Sequence, residues 1–167
     1  MISLRPIFSG DPFSAHPALQ TIWPQPLIAR ARYDTVESLV DIDDDDFGAI
    51  FLIIEADRVI GITGYYWYDD SGTELGLRWH GLLPSHRGQG RSKTVIDALL
   101  AWIHPREPLA TTLIELIPDT AYGVALRRHF EKLGFQSVGP LEHYDWSDHA
   151  WQPYHLAIAQ KTVGAAS

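Results

Sequence analysis

Apolar residues follow two different spacings along the chain, and this pattern predicts a mixed α/β fold. Runs rich in β-branched and aromatic residues, bounded by turn residues, are typical of strands. Apolar positions three or four residues apart are typical of helices that bury one face. Strands are predicted at residues 2–8, 47–56, 59–68, 73–83, 111–117, 135–144 and 154–160. Helices are predicted at residues 14–23, 34–40, 92–104 and 121–133.

Turn and cap residues set the limits of several of these elements. Asp57-Arg58 separates two apolar runs and predicts a hairpin within an antiparallel meander. Pro105 is expected to stop the helix at 92–104, and Gly134 is expected to cap the helix at 121–133. The order of elements indicates a central mixed sheet, largely antiparallel, of about seven strands.

Composition limits the classes of function. The 167 residues fit a single domain that spans 1–167. The chain carries 13 Lys and Arg against 21 Asp and Glu, a net charge of −8, which argues against nucleic acid because its binders neutralise phosphates with cations. The absence of cysteine excludes disulfides and a cysteine nucleophile. The longest apolar run, 47–54, is much shorter than the roughly 18 residues of a membrane span, and no signal peptide pattern is present. We therefore expect no membrane partner and a cytoplasmic location.

The most informative segment is the turn between a predicted strand and the predicted helix that follows it. Gly88 and Gly90 allow a tight turn and close approach of a ligand, and the first N–H groups of the helix point outward at the positive end of its dipole. Arg87, Arg91 and Lys93 add local cations, which favours an anionic ligand such as a pyrophosphate. The segment has neither a Walker A pattern nor a Rossmann fingerprint. A tight turn without a ligand is the alternative interpretation.

Three segments resemble the GNAT superfamily of acyl-CoA-dependent N-acetyltransferases. Residues 87–92, Arg-Gly-Gln-Gly-Arg-Ser, are similar to the family motif Gln/Arg-x-x-Gly-x-Gly/Ala, with Ser92 in place of the final Gly or Ala. Residues 79–84 resemble the family's fourth strand, and residues 126–135 resemble the end of a helix that the family writes as lYeklGF. The resemblance covers most of the chain, although residues 1–45 carry no family signature.

The resemblance implies a cofactor site. In the family, acetyl-CoA lies in a splayed opening between the fourth and fifth strands of a sheet with helices on both faces. Its pyrophosphate would lie on backbone N–H groups of the glycine-containing loop, and its pantetheine arm would pair with backbone near Leu82. The implied cofactor-binding residues are Leu82, Leu83, Arg87, Gly88, Gln89, Gly90, Arg91, Ser92 and Phe130.

Acetyl transfer requires a base for the amine and an acid for the departing thiolate. The family often uses a Tyr as the acid, and Phe130 occupies that position here; an Asn common in the same helix is also absent, with Gly123 near its place. We favour Tyr122 as the substitute acid. The candidate bases are Glu74, where the family often has a carboxylate, and His80, because imidazole accepts a proton near neutral pH. The alternatives are a solvent-facing Glu74 and a hydrogen-bonded core His80.

The C-terminal part of the sequence concentrates histidines, acids and aromatic residues. Its histidines match no compact ligand signature, so no metal is expected; they are His143, His149 and His155. Its aromatic residues are expected to pack or to line an acceptor pocket; they are Tyr144, Trp146, Trp151 and Tyr154. Acidic residues at Asp145, Asp148 and the run 41–46 could attract a cationic amine, although such a run is usually a solvated loop.

Two hypotheses follow for the function. The first is an acetyl-CoA-dependent N-acetyltransferase that transfers the acetyl group directly to a primary amine of a small molecule or peptide. The second is a catalytically silent acyl-CoA-binding regulatory module, because Phe130 replaces the usual Tyr. An acetylating toxin or resistance enzyme would use the same chemistry as the first. The resemblance also implies that a homodimer is compatible with this sequence.

Overall fold

The computed structural model describes residues 1–40 and 48–159. The acidic run at 41–46, the first residue of the strand predicted at 47–56 and the last of that predicted at 154–160 lie outside the described residues. In chain order the elements are β1 (Ile2–Ile7), α1 (Pro12–Ala15), a 3₁₀ helix (Pro17–Thr21), α2 (Leu27–Val40), β2 (Gly48–Glu55), β3 (Arg58–Trp67), β4 (Glu74–Leu77), β5 (Gly81–Leu82), a second 3₁₀ helix (Pro84–His86), α3 (Arg91–Arg106), β6 (Thr112–Pro118), α4 (Ala121–Lys132), β7 (Gln136–Ser137) and β8 (Trp151–Ala157).

The chain divides into two compact units. Unit 1 comprises Met1–Trp67 and Leu77–Ala101, and unit 2 comprises Tyr68–Gly76 and Trp102–Ser167. The expectation of a single domain stays a prediction.

The strands of unit 1 pair in an antiparallel manner. β1 pairs with β2, β2 pairs with β3, and β5 lies beside β3 with Gly61 opposite Leu82. Glu55 faces Arg58 across the hairpin, so the turn residues are Ala56 and Asp57, with φ of 48° and 59°. The predicted turn at Asp57-Arg58 is therefore one residue too late.

The helical part of unit 1 differs from the prediction at its boundaries. The helix predicted at 14–23 consists of α1 and a separate 3₁₀ helix that starts at Pro17, where proline removes a backbone donor. The helix predicted at 34–40 begins at Leu27, because Pro26 precedes its first turn and proline there does not interrupt a helix. The buried face of α2 has helical spacing and joins the apolar core of the unit; its residues are Ile28, Ala31, Thr35 and Leu39.

The strand predicted at 73–83 is interrupted in the structure. β4 ends at Leu77 and β5 begins at Gly81, and between them Trp79 has a φ of 38°, which is uncommon for a bulky residue. The indole of Trp79 donates from Nε1 to Asp34 at 3.2 Å and meets the ring of Trp23 edge-on at 5.3 Å. These tertiary contacts of the side chain hold the backbone away from regular strand geometry.

Unit 2 combines parallel and antiparallel strand pairs. β4 pairs in parallel with β6, β6 is antiparallel to β8, and β7 is antiparallel to β8. The strand predicted at 135–144 is reduced to β7 and a single bridge between Glu142 and Trp151, because the residues between them follow an irregular course. Helix α4 lies against β6 and buries Phe130.

The predicted helix ends agree with the structure at Gly134 and differ from it at Pro105. Gly134 follows α4 with a φ of 96°, as expected for a glycine that terminates a helix. The prediction that Pro105 stops its helix is wrong, because α3 continues to Arg106 with Pro105 in its last turn. The prediction of an α/β fold with a mixed, largely antiparallel set of about seven strands is confirmed. The splayed opening stays a prediction.

Gly123 offers a test of this packing. A Cβ at this position would overlap the carbonyl oxygen of Pro118 and lie 3.0 Å from its carbonyl carbon. Helix propensity alone predicts that Gly123→Ala stabilises the protein by about 1 kcal/mol. We expect the opposite sign, a loss of about 2 kcal/mol, because the added methyl group overpacks the contact with β6. Urea denaturation of the variant measures the difference.

Ala125→Gly is the matched control on the same helix. Ala125 is exposed, so its replacement is expected to cost about 1 kcal/mol through helix propensity. Stabilisation by Gly123→Ala would contradict the packing that we describe.

Candidate active site

The glycine-containing loop of unit 1 connects β5 to α3 through a short 3₁₀ helix. Gly88 and Gly90 have φ of 74° and 72°, a left-handed conformation that favours glycine. A Cβ added to either residue would meet nothing within 4 Å. The loop therefore presents open space next to both glycines, as the sequence analysis expected for a ligand-binding turn.

Helix α3 directs unpaired backbone donors toward the loop. Because the helix begins at Arg91, the N–H groups of Gly90, Arg91 and Ser92 have no acceptor within the helix. The N–H of Lys93 donates to the carbonyl of Gly90 at 3.2 Å. Ser92 is the second residue of the helix and lies in its first turn. The donors and the positive end of the helix dipole together favour an anion at this position.

Arg87 holds the loop through backbone carbonyl groups. Its Nε donates to the carbonyl of Leu82 at 3.1 Å, and a terminal nitrogen of its guanidinium donates to the carbonyl of Ile22, which follows the first 3₁₀ helix. The residue is exposed, although both of these hydrogen bonds are partly buried. Arg87 therefore fixes the position of the loop within unit 1 through two carbonyl groups. Its role toward a ligand stays a prediction.

The other two cations of the loop also have protein partners. Arg91 donates from Nε to both carboxylate oxygens of Glu55 at 3.0 Å, and also to the side chain of Gln89. Hydrogen bonding from Arg91 lowers the pKa of Glu55. Lys93 pairs with Asp97 at 2.5 Å, one turn along the helix. Two of the three cations of the loop thus form ion pairs with acidic side chains, whereas the backbone donors at the start of α3 have no acceptor within the helix.

The backbone near Leu82 is partly engaged. Leu82 is buried, its carbonyl accepts from Arg87, and the N–H of Leu83 donates to Ile60 at 2.8 Å. A pantetheine arm would have to pair with other backbone groups of this segment.

His80 follows the strand interruption in unit 1. Its Nδ1 lies 3.1 Å from the hydroxyl of Thr63, which is completely buried. This contact agrees with the alternative of a hydrogen-bonded core histidine. The catalytic role of His80 stays a prediction.

The other predicted catalytic residues belong to unit 2. Glu74 is the first residue of β4; its N–H donates to Asp69 at 3.0 Å and its carbonyl accepts from Tyr68 at 2.8 Å. Tyr122 lies in the first turn of α4 and is 37% exposed. These positions leave both side chains as candidates, and their roles stay predictions.

Packing explains why α4 lacks the polar residues that the family often has at the positions of Gly123 and Phe130. Phe130 is 3% exposed and packs edge-on against Phe135 at 5.2 Å. A tyrosine with the same ring position would bury its hydroxyl group, which is unfavourable without a partner. The backbone of Pro118 leaves no space for a side chain at position 123. Phe130 is part of the core of unit 2, and its predicted contact with the cofactor stays a prediction.

Glu115 is a candidate that the sequence analysis missed. It lies in the middle of β6, opposite Tyr154 on β8, and on the same strand face as the fully buried Leu113 and Ile117. The residue keeps some solvent contact, but the protein atoms around its carboxyl group remove enough water to raise its pKa well above the ordinary value. In the sequence, the sign of this candidate is a single charged residue in an otherwise apolar strand. Burial in such a strand shifts the pKa of a carboxyl group, and groups with strongly shifted pKa values are often found at functional sites.

Within residues 1–40 and 48–159, no three His, Cys, Asp or Glu side chains come together in a group that could hold a metal ion. None of the helices formed by these residues combines the length and the hydropathy that crossing a bilayer requires.

Solved structures share this fold over nearly the whole chain at low sequence identity. A protein from Desulfovibrio desulfuricans placed in the GNAT family has 15% identity and a TM-score of 0.75, over 95% of this chain and 100% of the other. Spermidine N-acetyltransferase from Vibrio cholerae, in complex with CoA and spermine, has 15% identity and a TM-score of 0.65, over 95% and 96%. Aminoglycoside acetyltransferase AAC(6')-Ib, in complex with coenzyme A and kanamycin, has 15% identity and a TM-score of 0.67, over 94% and 95%. Curated protein sequences give no match.

The family follows from a match to the sequence itself. Residues 15–135 match the model of the Acetyltransferase (GNAT) family. The matched region includes the glycine-containing loop, α3, β6 and α4. The resemblance noted in the sequence is confirmed: the chain belongs to the acetyltransferase (GNAT) family and is an N-acetyltransferase.

Proposed function

We propose that this protein transfers the acetyl group of acetyl-CoA to a primary amine of a small molecule or peptide. The observation that carries the proposal is the loop before α3, where two glycines of positive φ precede helix N–H groups that lack helical acceptors. Family membership supports it, as do neighbours that were crystallised with coenzyme A.

The residues of the loop fit the pyrophosphate of coenzyme A. Side chains are absent at Gly88 and Gly90, where a Cβ would meet only open space, so a ligand can approach the backbone. The N–H groups between Arg87 and Ser92 would hold the phosphate oxygens, with the dipole of α3 adding a favourable field. The side chains of Arg87 and Arg91 would act indirectly, because they fix the loop through Ile22 and Glu55.

The reaction needs a proton acceptor close to the amine. In a direct transfer, the neutral amine nitrogen forms a bond to the thioester carbonyl carbon, the carbon–sulfur bond breaks, and the thiolate leaves. The base takes a proton from the nitrogen, and an acid or water protonates the thiolate. We assign Glu74 and His80 as candidate bases and Tyr122 as the candidate acid, as the sequence analysis predicted.

Glu115 is a further candidate base. A carboxyl group in water is a weak base at neutral pH, and a raised pKa brings it closer to the range in which proton transfer is effective. Desolvation in β6 supplies such a shift for Glu115.

The proposal is tested by an acceptor screen with acetyl-CoA. The panel contains amino acids, polyamines, aminoglycosides and peptides with free N-termini. We expect thiol release that requires an acceptor, together with an N-acetylated product identified by mass spectrometry. Binding of acetyl-CoA without thiol release for any acceptor would favour the silent regulatory module instead.

Substitution of Gly90 tests the cofactor loop. Asp and Asn have nearly the same shape and both tolerate positive φ, so Gly90→Asp and Gly90→Asn differ mainly in charge. We expect the Asp variant to bind CoA at least about 10-fold more weakly than the Asn variant, since a carboxylate would face the phosphates. Isothermal titration calorimetry measures both affinities.

Gly139→Asp is the control for this experiment. Gly139 also has a positive φ of 70° and open space at its Cβ position, but the described residues that follow it, 140–159, form no helix. Its CoA affinity should match that of the unmodified protein. Equal affinities for the Asp and Asn variants at position 90 would contradict the loop assignment.

Glu115→Gln gives a prediction with a defined pH dependence. A raised pKa in the folded protein means that folding favours the protonated carboxyl group. The stabilisation from the protonated carboxyl group is complete at pH values below the pKa of Glu115 in the unfolded chain. It is lost as the pH rises through the pKa of Glu115 in the folded protein. Glu115→Gln should therefore become more stable relative to the unmodified protein as the pH rises from 4 to 8, as measured by urea denaturation. If Glu115 is the base, the variant also loses the rise of kcat/KM with pH.

A further inference from the structure

One hydrogen bond in unit 1 joins helix α2 to the strand interruption at residues 78–80. The indole Nε1 of Trp79 donates to Oδ2 of Asp34 at 3.2 Å. The other carboxylate oxygen of Asp34, Oδ1, lies 2.8 Å from Nε of Arg30 in an ion pair one turn back along the same helix. The carboxylate of Asp34 thus connects an exposed arginine of α2 to a half-buried indole that is 45 positions away in the sequence.

The strand interruption contains one extra residue. Gly81 lies opposite Ile62, and the N–H of Arg78 donates to the carbonyl of Gly64 at 2.8 Å. The chain therefore takes three steps between positions 78 and 81 where β3 takes two steps between positions 62 and 64. This is the arrangement of a β-bulge, which changes the direction of the side chains next to it. Trp79 lies within this bulge.

The backbone of Trp79 is held in place by contacts of its side chain. A φ of 38° costs free energy in a bulky residue and persists only where the surroundings impose it. The indole is restrained by the edge-on ring of Trp23, with centroids 5.3 Å apart, and by the carboxylate of Asp34. Asp34 is itself fixed within unit 1, because Ala31 and Thr35 on the same helix are buried in the core. Helix α2 therefore offers the indole an acceptor in a defined position.

His80 directly follows the residue that Asp34 holds. Its Nδ1 lies 3.1 Å from the hydroxyl of Thr63, which is fully buried on β3. Successive side chains of a strand point to opposite faces, so a shift of the bulge by one position would turn His80 away from Thr63. The direction of the imidazole ring consequently depends on the conformation of Trp79.

We propose that Asp34 is a positioning residue for His80, and that it acts through the indole of Trp79. The proposal rests on the proposed function, in which His80 is a candidate base. The role of Asp34 is indirect, because both of its carboxylate oxygens are engaged by side chains of unit 1. The cofactor loop has a separate support in Arg87, so the two devices can be tested independently.

The first experiment measures the bulge without any reaction. Asp34→Ala removes the acceptor of the hydrogen bond, and Trp79→Phe removes the donor but keeps an aromatic ring. We expect amide hydrogen exchange in residues 78–83 to become at least 10-fold faster in both variants, as measured by mass spectrometry, because the segment opens locally. Exchange in β1 should change less than twofold, which excludes a general loss of stability. Unchanged exchange in residues 78–83 would overturn the proposal.

Two further variants are matched controls for this experiment. Asp34→Asn keeps an oxygen that can accept from the indole, so its exchange rate in residues 78–83 should stay within threefold of the unmodified protein. Arg30→Gln removes the ion pair with Asp34 and leaves the bond to Trp79, and it should stay within twofold. Equal acceleration in Arg30→Gln and Asp34→Ala would assign the effect to the ion pair and would overturn the role of the indole.

The second experiment is a double-mutant cycle with His80→Gln. The substrate is the amine of the acceptor panel that gives the highest rate with acetyl-CoA. We expect Asp34→Ala to lower kcat at least 10-fold in the unmodified protein and less than twofold in His80→Gln, because residues that act on one step are not additive. Asp34→Asn should keep kcat within threefold of the unmodified protein. KM for acetyl-CoA should change less than twofold in each variant.

The outcomes separate this proposal from the proposed function. An equal loss of kcat on Asp34→Ala in both backgrounds, or full activity of His80→Gln, would overturn the positioning role while acetylation itself remains. Absence of thiol release with every amine of the panel would overturn the proposed function and with it the catalytic meaning of His80. The hydrogen-exchange experiment would still decide whether Asp34 fixes the bulge at Trp79.

Discussion

The position of the glycine-containing loop depends on the guanidinium group of Arg87. This group joins the carbonyl of Leu82, at the end of β5, to the carbonyl of Ile22, in the N-terminal helical segment. Gly81 supports the same junction, because a Cβ there would collide with the side chains of Ile22 and Trp23. The strand, the loop and the N-terminal segment of unit 1 are consequently built around one contact region. A ligand at the loop meets backbone donors whose positions are already set by this side chain.

The three cations of the loop all have partners within the protein, which affects the field that a ligand there would experience. Three cations lie close together in the sequence, but Arg87 binds carbonyl groups, Arg91 binds Glu55 and Lys93 binds Asp97. Ion pairs reduce the field that a ligand experiences, whereas the N–H groups at the start of α3 have no such partner within the helix. Recognition of an anion by backbone donors also suits a chain with an excess of acidic residues. In the proposed cofactor site, the glycines rather than the arginines are therefore the decisive residues of the motif.

Hydrophobic spacing and turn residues predict the elements whose structure depends on residues nearby in the sequence. The β2–β3 hairpin, helix α4 and its termination at Gly134 follow from hydrophobic spacing and turn chemistry, as does the loop with Gly88 and Gly90. The contacts that the sequence did not predict join side chains to residues that are distant in the sequence. Arg87 contacts a residue 65 positions away and Arg91 a residue 36 positions away, and Trp79 is held by contacts with Trp23 and Asp34. The desolvation of Glu115 likewise depends on the packing around β6 rather than on the sequence around it.

The substitutions in α4 bear on two proton transfers, one to the departing thiolate and one from the amine. Phe130 and Gly123 stand where the family often has polar residues, and here they serve packing against Phe135 and Pro118. Loss of the family's tyrosine acid at position 130 is tolerable because a thiol has a pKa of about 8.5, so a thiolate leaves readily near neutral pH. An ammonium acceptor, in contrast, is unreactive until its nucleophilic nitrogen loses a proton. The base is therefore the more demanding requirement of the proposed reaction, and Glu74 and Glu115 are candidates for it.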